Sequence, residues 1–172
     1  MRKSRVDSAE TPRERKTKSA EQALNTLMRL CSRAERSSGD AMRLMYTWGV
    51  PMSERQGVLD KLIEMRFIDD GRFAEAYTRE KSQISGWGAK KIAQHLYQKS
   101  ISRDIVARVL SSLEGDEQRE MLTKKLQRKL PTIKASNDYE LRGKLLRYAL
   151  GQGYEYDMTI EVIDEVTSRY RR

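Results

Sequence analysis

One short pattern occurs three times in this chain, and it limits the available folds more than any other feature. Each copy joins a long residue to a small residue and then to an apolar or aromatic residue. The copies are Trp48-Gly49-Val50, Lys99-Ser100-Ile101 and Gln152-Gly153-Tyr154. They start at residues 48, 99 and 152, which are 51 and then 53 residues apart, and a period of this length is typical of repeat proteins. The sequence therefore predicts three copies of one structural unit.

The apolar positions around each copy repeat as well. Counted forward from the end of the pattern, the eighth, ninth and twelfth positions hold Val58, Leu59 and Leu62, then Val109, Leu110 and Leu113, then Val162, Ile163 and Val166. Counted backward, the ninth and fifth positions hold Ala41 and Met45, then Ile92 and Leu96, then Leu145 and Ala149. Such spacings put side chains on one face of an α-helix, so each copy predicts a helix on either side of a turn.

The pattern itself predicts the geometry of that turn. Glycine at Gly49 and Gly153 favours the left-handed backbone conformation just past a helix end. Ser100 in the same place predicts a strain of about 1 kcal/mol. Small acceptors suited to the first turn of the next helix follow each copy, at Ser53, Asp104 and Asp157. Ser53 with Gln56 further predicts a capping box.

A further helix precedes each of these helix pairs. Helical patterns cover residues 20–35, 71–84 and 116–130, and Pro131 ends the last of them. Strong helix formers fill nearly every segment, and no stretch alternates with the period of two that marks a strand. We therefore predict an all-α fold of three tandem three-helix repeats in an elongated, curved array. The predicted divisions are a flexible basic tail at residues 1–19 and repeats at residues 20–68, 69–115 and 116–172.

Charge and the first 19 residues restrict the class of function. The chain has 34 Lys and Arg against 25 acidic residues, a formal net charge of +9, which favours partners with phosphate or carboxylate surfaces. Residues 1–19 lack the apolar segment of a secretory signal. No stretch approaches the roughly 20 apolar residues of a membrane span. We therefore expect a cytoplasmic protein that does not cross a membrane.

No group of residues in the sequence predicts catalysis or metal binding. His95 is the only histidine and Cys31 the only cysteine, and neither has a partner at a recognisable ligand or catalytic spacing. His95 is interpreted as a structural or surface residue, and Cys31 as a small, partly buried side chain. Asp69 and Asp70 are explained by the end of one helix and the start of the next, and glycine-rich phosphate loops are absent from the sequence. We therefore predict a binding protein that is not an enzyme and has no cofactor or metal.

A central segment resembles the signature of the RecX family. It reads Phe67-Ile68-Asp69-Asp70-Gly71-Arg72-Phe73-Ala74-Glu75-Ala76-Tyr77 and is followed by Gly86-Trp87-Gly88-Ala89-Lys90-Lys91-Ile92. The similarity extends from about Ala20 to the end, because that family is also built from three tandem three-helix repeats. The resemblance implies a protein that binds in the helical groove of the RecA filament on single-stranded DNA and usually restrains it, while the sequence itself leaves inhibition and enhancement both open. Strand exchange, ATP hydrolysis and co-protease activity of the recombinase are then lowered.

Two features depart from the pattern of that family. The first repeat has Ser37-Ser38-Gly39-Asp40-Ala41-Met42 where the family tends to show an acidic residue followed by leucine. In the second repeat, Ser100 replaces the usual glycine after lysine. The detailed contacts of the first repeat are therefore the least transferable from the family.

Basic side chains and one tryptophan are the candidate contacts with a partner. Charge and placement select Arg72, Arg79, Lys81, Trp87, Lys90, Lys91, Arg142, Lys144, Arg147, Arg169, Arg171 and Arg172. The alternative interpretation of the basic residues is a solvated helix face, and that of Trp87 is packing between helices.

A second function stays open at the level of the sequence. One repeat would act as a helix-turn-helix that reads the major groove of duplex DNA, in a stand-alone regulator. The sequence singles out no recognition helix for that role. The predicted partners are therefore a RecA-type filament and single-stranded DNA, with duplex DNA as the alternative, and we expect a monomer.

Overall fold

The computed structural model describes residues 17–113 and 115–170 of the chain. Within these residues it contains nine α-helices, one short 3-10 helix and no β-strand, so the all-α prediction is confirmed. The α-helices are α1 (Ala20–Cys31), α2 (Ser38–Thr47), α3 (Met52–Glu64), α4 (Asp70–Gln83), α5 (Ala89–Gln98), α6 (Arg103–Ser111), α7 (Gly115–Lys129), α8 (Asp138–Gly151) and α9 (Tyr156–Tyr170). The 3-10 helix Leu130–Thr132 lies between α7 and α8.

The first helix of each repeat lies close to its predicted position. Helix α1 ends at Cys31, before the predicted end at residue 35, while α4 and α7 each begin one residue early. Pro131 ends the third of these helices as predicted, because the backbone tightens into the 3-10 turn at that point.

The chain just before α1 is attached to the first repeat. Ser19 and Gln22 form a capping box at the start of α1. The backbone N–H of Lys18 donates to the carbonyl oxygen of Trp48 at 2.9 Å, and the Lys18 ammonium lies 4.5 Å from the centre of the Trp48 ring. These are the last residues of the predicted tail, and residues 1–16 lie outside the described part of the chain.

Each set of three helices has its own apolar core. The first core is built from α1 to α3, the second from α4 to α6 and the third from α7 to α9. The repeated apolar positions of the sequence are buried in these cores, apart from Leu110 and Leu113, which are half-buried. Separate small cores are typical of a repeat protein, in which each unit packs mainly on its neighbours.

The turn in each repeat has the predicted left-handed backbone. The φ angles are 68° at Gly49, 63° at Ser100 and 90° at Gly153. The serine therefore adopts a conformation that favours glycine, as the repeat pattern predicts.

The predicted capping of α3 is wrong. Helix α3 begins at Met52 after Pro51, and no side chain caps it. Ser53 therefore lies inside the first turn, and Gln56 donates instead to Asp60 Oδ1 at 2.8 Å. In the second repeat Ser102 caps α6, so Asp104 lies inside the first turn as well.

Neighbouring repeats meet in the same backbone arrangement at two places. At the first junction, the start of α2 lies on the turn after α5. A Cβ atom at Gly39 would lie 2.3 Å from the carbonyl oxygen of Lys99, so the two backbones touch there. Arg43 Nη1 donates to the carbonyl oxygen of Gln98 at 3.0 Å, and Lys99 Nζ lies 3.0 Å from Asp40 Oδ2.

At the second junction, the start of α5 lies on the turn after α8. The backbone N–H of Gly88 donates to the carbonyl oxygen of Gln152 at 2.8 Å, and that of Lys90 donates to Gly153 at 3.0 Å. A Cβ atom at Gly88 would lie 2.3 Å from the carbonyl carbon of Gly153. Both junctions thus depend on a glycine that lets a helix start approach a turn closely.

Candidate nucleic-acid interface

Trp87 lies in the short loop between α4 and α5, and the loop is fixed on both sides. Its backbone N–H donates to the carbonyl oxygen of Lys81 at 2.8 Å. The preceding residue, Gly86, has a φ of 59°, and its carbonyl oxygen accepts a bond from the buried hydroxyl of Tyr154 at 2.9 Å. The tryptophan is therefore held at the second junction by contacts from two repeats.

Lysine side chains lie around this tryptophan. The ammonium nitrogens of Lys91 and Lys81 lie 4.4 Å and 5.4 Å from the centre of the Trp87 ring. The His95 ring lies 4.6 Å away at a tilt of 51°. A cation within about 6 Å of an indole face is attracted to it, so the ring holds both lysines near one place.

The third repeat adds positive charge to the same region. Lys125 of α7 donates to Gln152 Oε1 at 2.8 Å, and a Cβ atom at Gly86 would lie 2.5 Å from its Cε. Burial lowers the pKa of Lys125, and the neighbouring charges of Lys91 and Arg128 lower it further. We call this group the Trp87 patch; its members are Lys81, Trp87, Lys91, His95, Lys125 and Arg128.

The pKa of His95 reports the same concentration of charge. Burial lowers this pKa, and the positive charges of Lys91 and Lys81 lower it further. The lowered pKa keeps His95 mainly neutral at pH 7, so it adds little charge to the patch. An anion placed beside Trp87 would relieve the repulsion among the lysines, and phosphate groups carry such a charge.

Only some of the predicted contact residues meet in this patch. Those that do are Lys81, Trp87 and Lys91. Lys90 lies on the adjacent helix start, where its Nζ is 2.7 Å from Glu155 Oε2. Arg79 lies in a separate groove of about 480 Å³ between α4 and α6, which Glu75 and Arg108 also line.

Arg72 lies between the first and second repeats. Its Nε donates to Glu35 Oε1 at 2.5 Å and its Nη2 donates to the carbonyl oxygen of Arg66 at 3.1 Å. The hydrogen bond to the Glu35 carboxylate raises the pKa of Arg72. This side chain therefore links α4 to the loop after α1.

The candidates in the third repeat are partly engaged in ion pairs. Arg142 pairs with Asp164, and Lys144 lies 2.6 Å from Glu140 Oε1. Bonds from Lys144 and from the backbone of Ser136 lower the pKa of Glu140 to about 2.

The remaining candidates lie towards the end of the chain. Arg147 and Arg169 are exposed, and Arg171 and Arg172 lie outside the described residues.

Sequence reasoning missed Lys125 and Arg128. Both lie on a helix that the sequence does predict, but no pattern in the sequence places that helix beside the loop of the preceding repeat. Gly86 is the available signal, since its left-handed backbone forms the sharp turn before Trp87. The ring of Trp87 is half-buried and packs partly on the second core, as the alternative interpretation of this residue expects.

Neither a metal centre nor a membrane span is found in the part of the chain that the structure describes. No three acidic, histidine or cysteine side chains there could jointly hold a metal ion. No helix in that part has the length and apolar character needed to cross a bilayer.

The fold and the patch define a class of protein, a tandem array of three-helix units with a cationic aromatic surface where two units meet. The chain belongs to the RecX family. Residues 69–110 match the family model for "RecX, second three-helix domain", and residues 116–163 match that for "RecX, third three-helix domain". Together the two matches cover just over half of the chain.

Individual relatives agree with this assignment. The chain is 32% identical over 109 residues to the regulatory protein RecX of Clostridium botulinum, a match that covers 62% of this chain and 50% of the relative. It is 27% identical over 161 residues to the regulatory protein RecX of Mycolicibacterium smegmatis, covering 91% of this chain and 84% of the relative. The chain thus spans half the length of the clostridial relative and most of the mycobacterial one.

Solved structures share the fold. The crystal structure of RecX from Lactobacillus salivarius superposes with a TM-score of 0.73 at 23% identity, over 86% of this chain and 96% of that one. A second crystal structure, of a regulatory protein RecX, gives a TM-score of 0.74 over 84% of this chain and 71% of that one.

Proposed function

We propose that this protein binds the RecA recombinase filament on single-stranded DNA and inhibits its strand exchange, ATP hydrolysis and co-protease activities. The observation that carries the proposal is the Trp87 patch on a chain of the RecX family. Acting on such a filament implies a cytoplasmic location. We also propose that the protein acts as a monomer and by binding alone, without catalysis or a cofactor.

The Trp87 patch offers cations and the open part of an indole ring to nucleic acid. The ring is half-buried, packs partly on the second core and already lies beside Lys81, Lys91 and His95. Stacking of its open part would need a base that is not already stacked within a duplex, and would contribute at most about 1–3 kcal/mol, so single-stranded nucleic acid suits the patch better than a duplex. Lys91 and Lys125 belong to different repeats and would contact neighbouring phosphates. Several weak contacts along the array would then add up to a stable complex with a filament.

The direct test is a titration of the unaltered protein into its cognate recombinase assembled on single-stranded DNA. We expect ATP hydrolysis and strand exchange to fall as the protein is added. No response at a large excess of the protein would overturn the proposal. Tighter binding to a particular duplex sequence than to the filament would instead favour the helix-turn-helix alternative.

A second experiment tests the patch itself by its salt dependence. The double variant Lys91→Gln with Lys125→Gln should bind a single-stranded oligonucleotide about tenfold more weakly. The slope of log affinity against log salt should fall by about 1.4, because each lost phosphate contact removes roughly 0.7. Lys124→Gln is the matched control, since Lys124 lies next to Lys125 in the chain and is paired with Glu120. Equal losses in both variants would contradict the assignment.

A further inference from the structure

The first junction has a groove whose chemistry differs from that of the Trp87 patch. It measures about 380 Å³ and lies between α2, the start of α3 and the turn after α5. Its lining residues are Ser38, Gly39, Met42, Arg43, Tyr46, Arg55 and Ser100. We call it the Tyr46 groove.

Tyr46 is a large ring left open to solvent beside this groove. The side chain is 71% exposed, and the Arg55 guanidinium carbon lies 5.2 Å from the centre of its ring. Arg55 Nε donates to the carbonyl oxygen of Val50 at 2.8 Å, which fixes the guanidinium beside the ring. Met52, one helical turn before Arg55, is 84% exposed. Met42 and Tyr46 line one groove, and apolar side chains brought together in this way favour a surface that another molecule covers.

The residue types indicate a protein partner. Tyrosine, methionine and arginine are enriched in the centres of protein–protein interfaces, whereas lysine is depleted there. Methionine side chains adapt to the shape of an apolar ligand, and Met42 lines the groove. The Trp87 patch differs in its cations. Three of the four are lysines, Lys81, Lys91 and Lys125, the residue type that is depleted in protein–protein interfaces.

The charged side chains at the edge of the Tyr46 groove, which we call its rim, indicate the charge of the partner. Two carboxylates lie at this junction. Asp70 Oδ1 accepts from the backbone N–H of Ser38 at 2.7 Å, and Asp40 already pairs with both Arg43, at 2.5 Å, and Lys99, at 3.0 Å. Within the described part of the chain, the polar contact of Arg55 is its bond to Val50. The rim therefore carries net positive charge and suits a carboxylate.

We propose that the Tyr46 groove binds a segment of the partner protein that presents an apolar side chain next to an Asp or Glu. The apolar side chain packs on Met42 and Tyr46, and the carboxylate pairs with Arg55. This inference rests on the proposed function, because the partner in question is the recombinase protomer within the filament. It assigns protein contact to the first junction and nucleic-acid contact to the second.

The test compares two exposed tyrosines at equivalent positions of the repeat. Tyr46 and Tyr97 each stand four residues before the last residue of the repeated pattern, and Tyr97 is 50% exposed on α5. Tyr46→Ala and Tyr97→Ala are each measured against the recombinase filament on single-stranded DNA and against bare single-stranded DNA. We expect Tyr46→Ala to weaken filament binding by about tenfold or more and to change binding to bare DNA by less than about twofold.

The control variant and the possible results separate the Tyr46 groove proposal from its alternatives. Tyr97→Ala should bind both targets like the unaltered chain, and circular dichroism should show both variants folded, since neither ring is buried. A matching loss on bare DNA would mean that Tyr46 stacks on nucleic acid, and equal losses from both tyrosines would remove the special role of the groove. Filament binding by Tyr46→Ala at full strength would overturn this inference alone. A failure of the unaltered chain to bind the filament would overturn the proposed function as well.

Discussion

The two junctions share one backbone arrangement and differ in nearly every side chain. In each, the start of a middle helix meets the turn after the next middle helix, and a glycine permits the approach. The first junction is joined by side chains, through Asp40, Arg43 and Lys99. The second is joined by backbone hydrogen bonds from Gly88 and Lys90 and by a buried tyrosine hydroxyl.

This difference shows what a repeat array leaves free to vary. Close backbone contact fixes the geometry between neighbouring units, so the residues that line the groove beside the contact need not be the same. Tyrosine, methionine and arginine line the groove at one junction, and tryptophan and lysine form the patch at the other. Two surfaces of different chemistry can thus be built from one repeated unit, each positioned by the same kind of glycine contact.

The largest expected effect comes from adding a methyl group at the second junction. In Gly88→Ala the new Cβ would meet the backbone of Gly153 and Tyr154 at 2.3–2.5 Å, and neither segment can move aside cheaply. We expect a loss of about 1–3 kcal/mol in the free energy of unfolding, measured by urea denaturation. Binding to single-stranded DNA should weaken too, because the Trp87 loop is attached to the same contact.

The equivalent change at the first junction, Gly39→Ala, should affect the stability of the fold without affecting binding to single-stranded DNA. Gly39→Ala should destabilise by a similar or smaller amount, since one of its close neighbours is the Ser100 side chain rather than backbone. It should leave binding to bare single-stranded DNA intact. Gly143→Ala, where the Cβ meets nothing within 4 Å, is the control and should keep or raise stability by up to about 1 kcal/mol. A Gly88→Ala protein as stable as this control would refute the close contact.

The next effect concerns the buried hydroxyl that only the second junction has. Tyr154 bonds to Gly86 across 68 positions of the chain, whereas the equivalent residues of the other repeats are Val50 and Ile101. Tyr154→Phe should lower the free energy of unfolding by about 1 kcal/mol, because a buried carbonyl loses its partner. Amide hydrogen exchange at Gly88 and Lys90 should become faster. Tyr148→Phe makes the same chemical change on a half-buried ring, and equal effects in the two variants would count against the bond.

Much of the fold follows from periodicity, and the junctions do not. The repeated apolar positions and the left-handed turns at Gly49, Ser100 and Gly153 are local features, so the sequence predicts them directly. The two contact glycines are not at equivalent positions, because Gly39 lies inside α2 while Gly88 precedes α5. The repeat pattern therefore pairs Gly39 with Lys90 and hides the common role of the glycines.

The same distinction between local features and contacts between repeats applies to the residues of the Trp87 patch. Lys81, Trp87 and Lys91 lie within one turn and its flanking helices, so residue type and local placement were enough to select them. Lys125 joins them only through packing between repeats, which no local spacing reports. Charge and local placement also select Arg72 and Arg142, but their carboxylate partners Glu35 and Asp164 are distant in the sequence, so local patterns do not report those ion pairs.

The smallest expected effects concern the ion pairs of the two junctions. At the first junction, the contribution of the Asp40 pair to the free energy of unfolding should depend on pH. Burial alone would raise the pKa of Asp40, but hydrogen bonds from Lys99 and Arg43 outweigh it and hold that pKa below its ordinary value of 3.8. The stabilisation is therefore present above pH 3.8 and is lost as the pH falls through the lowered value. Asp40→Asn should cost about 0.5–1 kcal/mol at pH 7 and nothing once the pH is low enough to protonate Asp40 in the folded chain.

The second-junction counterpart of that pair is the bridge between Lys90 and Glu155, in which both side chains are 58% exposed. Water and salt screen such a pair, so Glu155→Gln should change the free energy of unfolding by no more than a few tenths of a kcal/mol. Roughly 1 M salt should abolish even that difference, while the half-buried Asp40 pair should keep part of its contribution. If the two variants lose the same stability at pH 7 and respond alike to salt, the first junction is not joined by its side chains. The two junctions would then differ only in the residues that line the Tyr46 groove and the Trp87 patch, and not in how the repeats are held together.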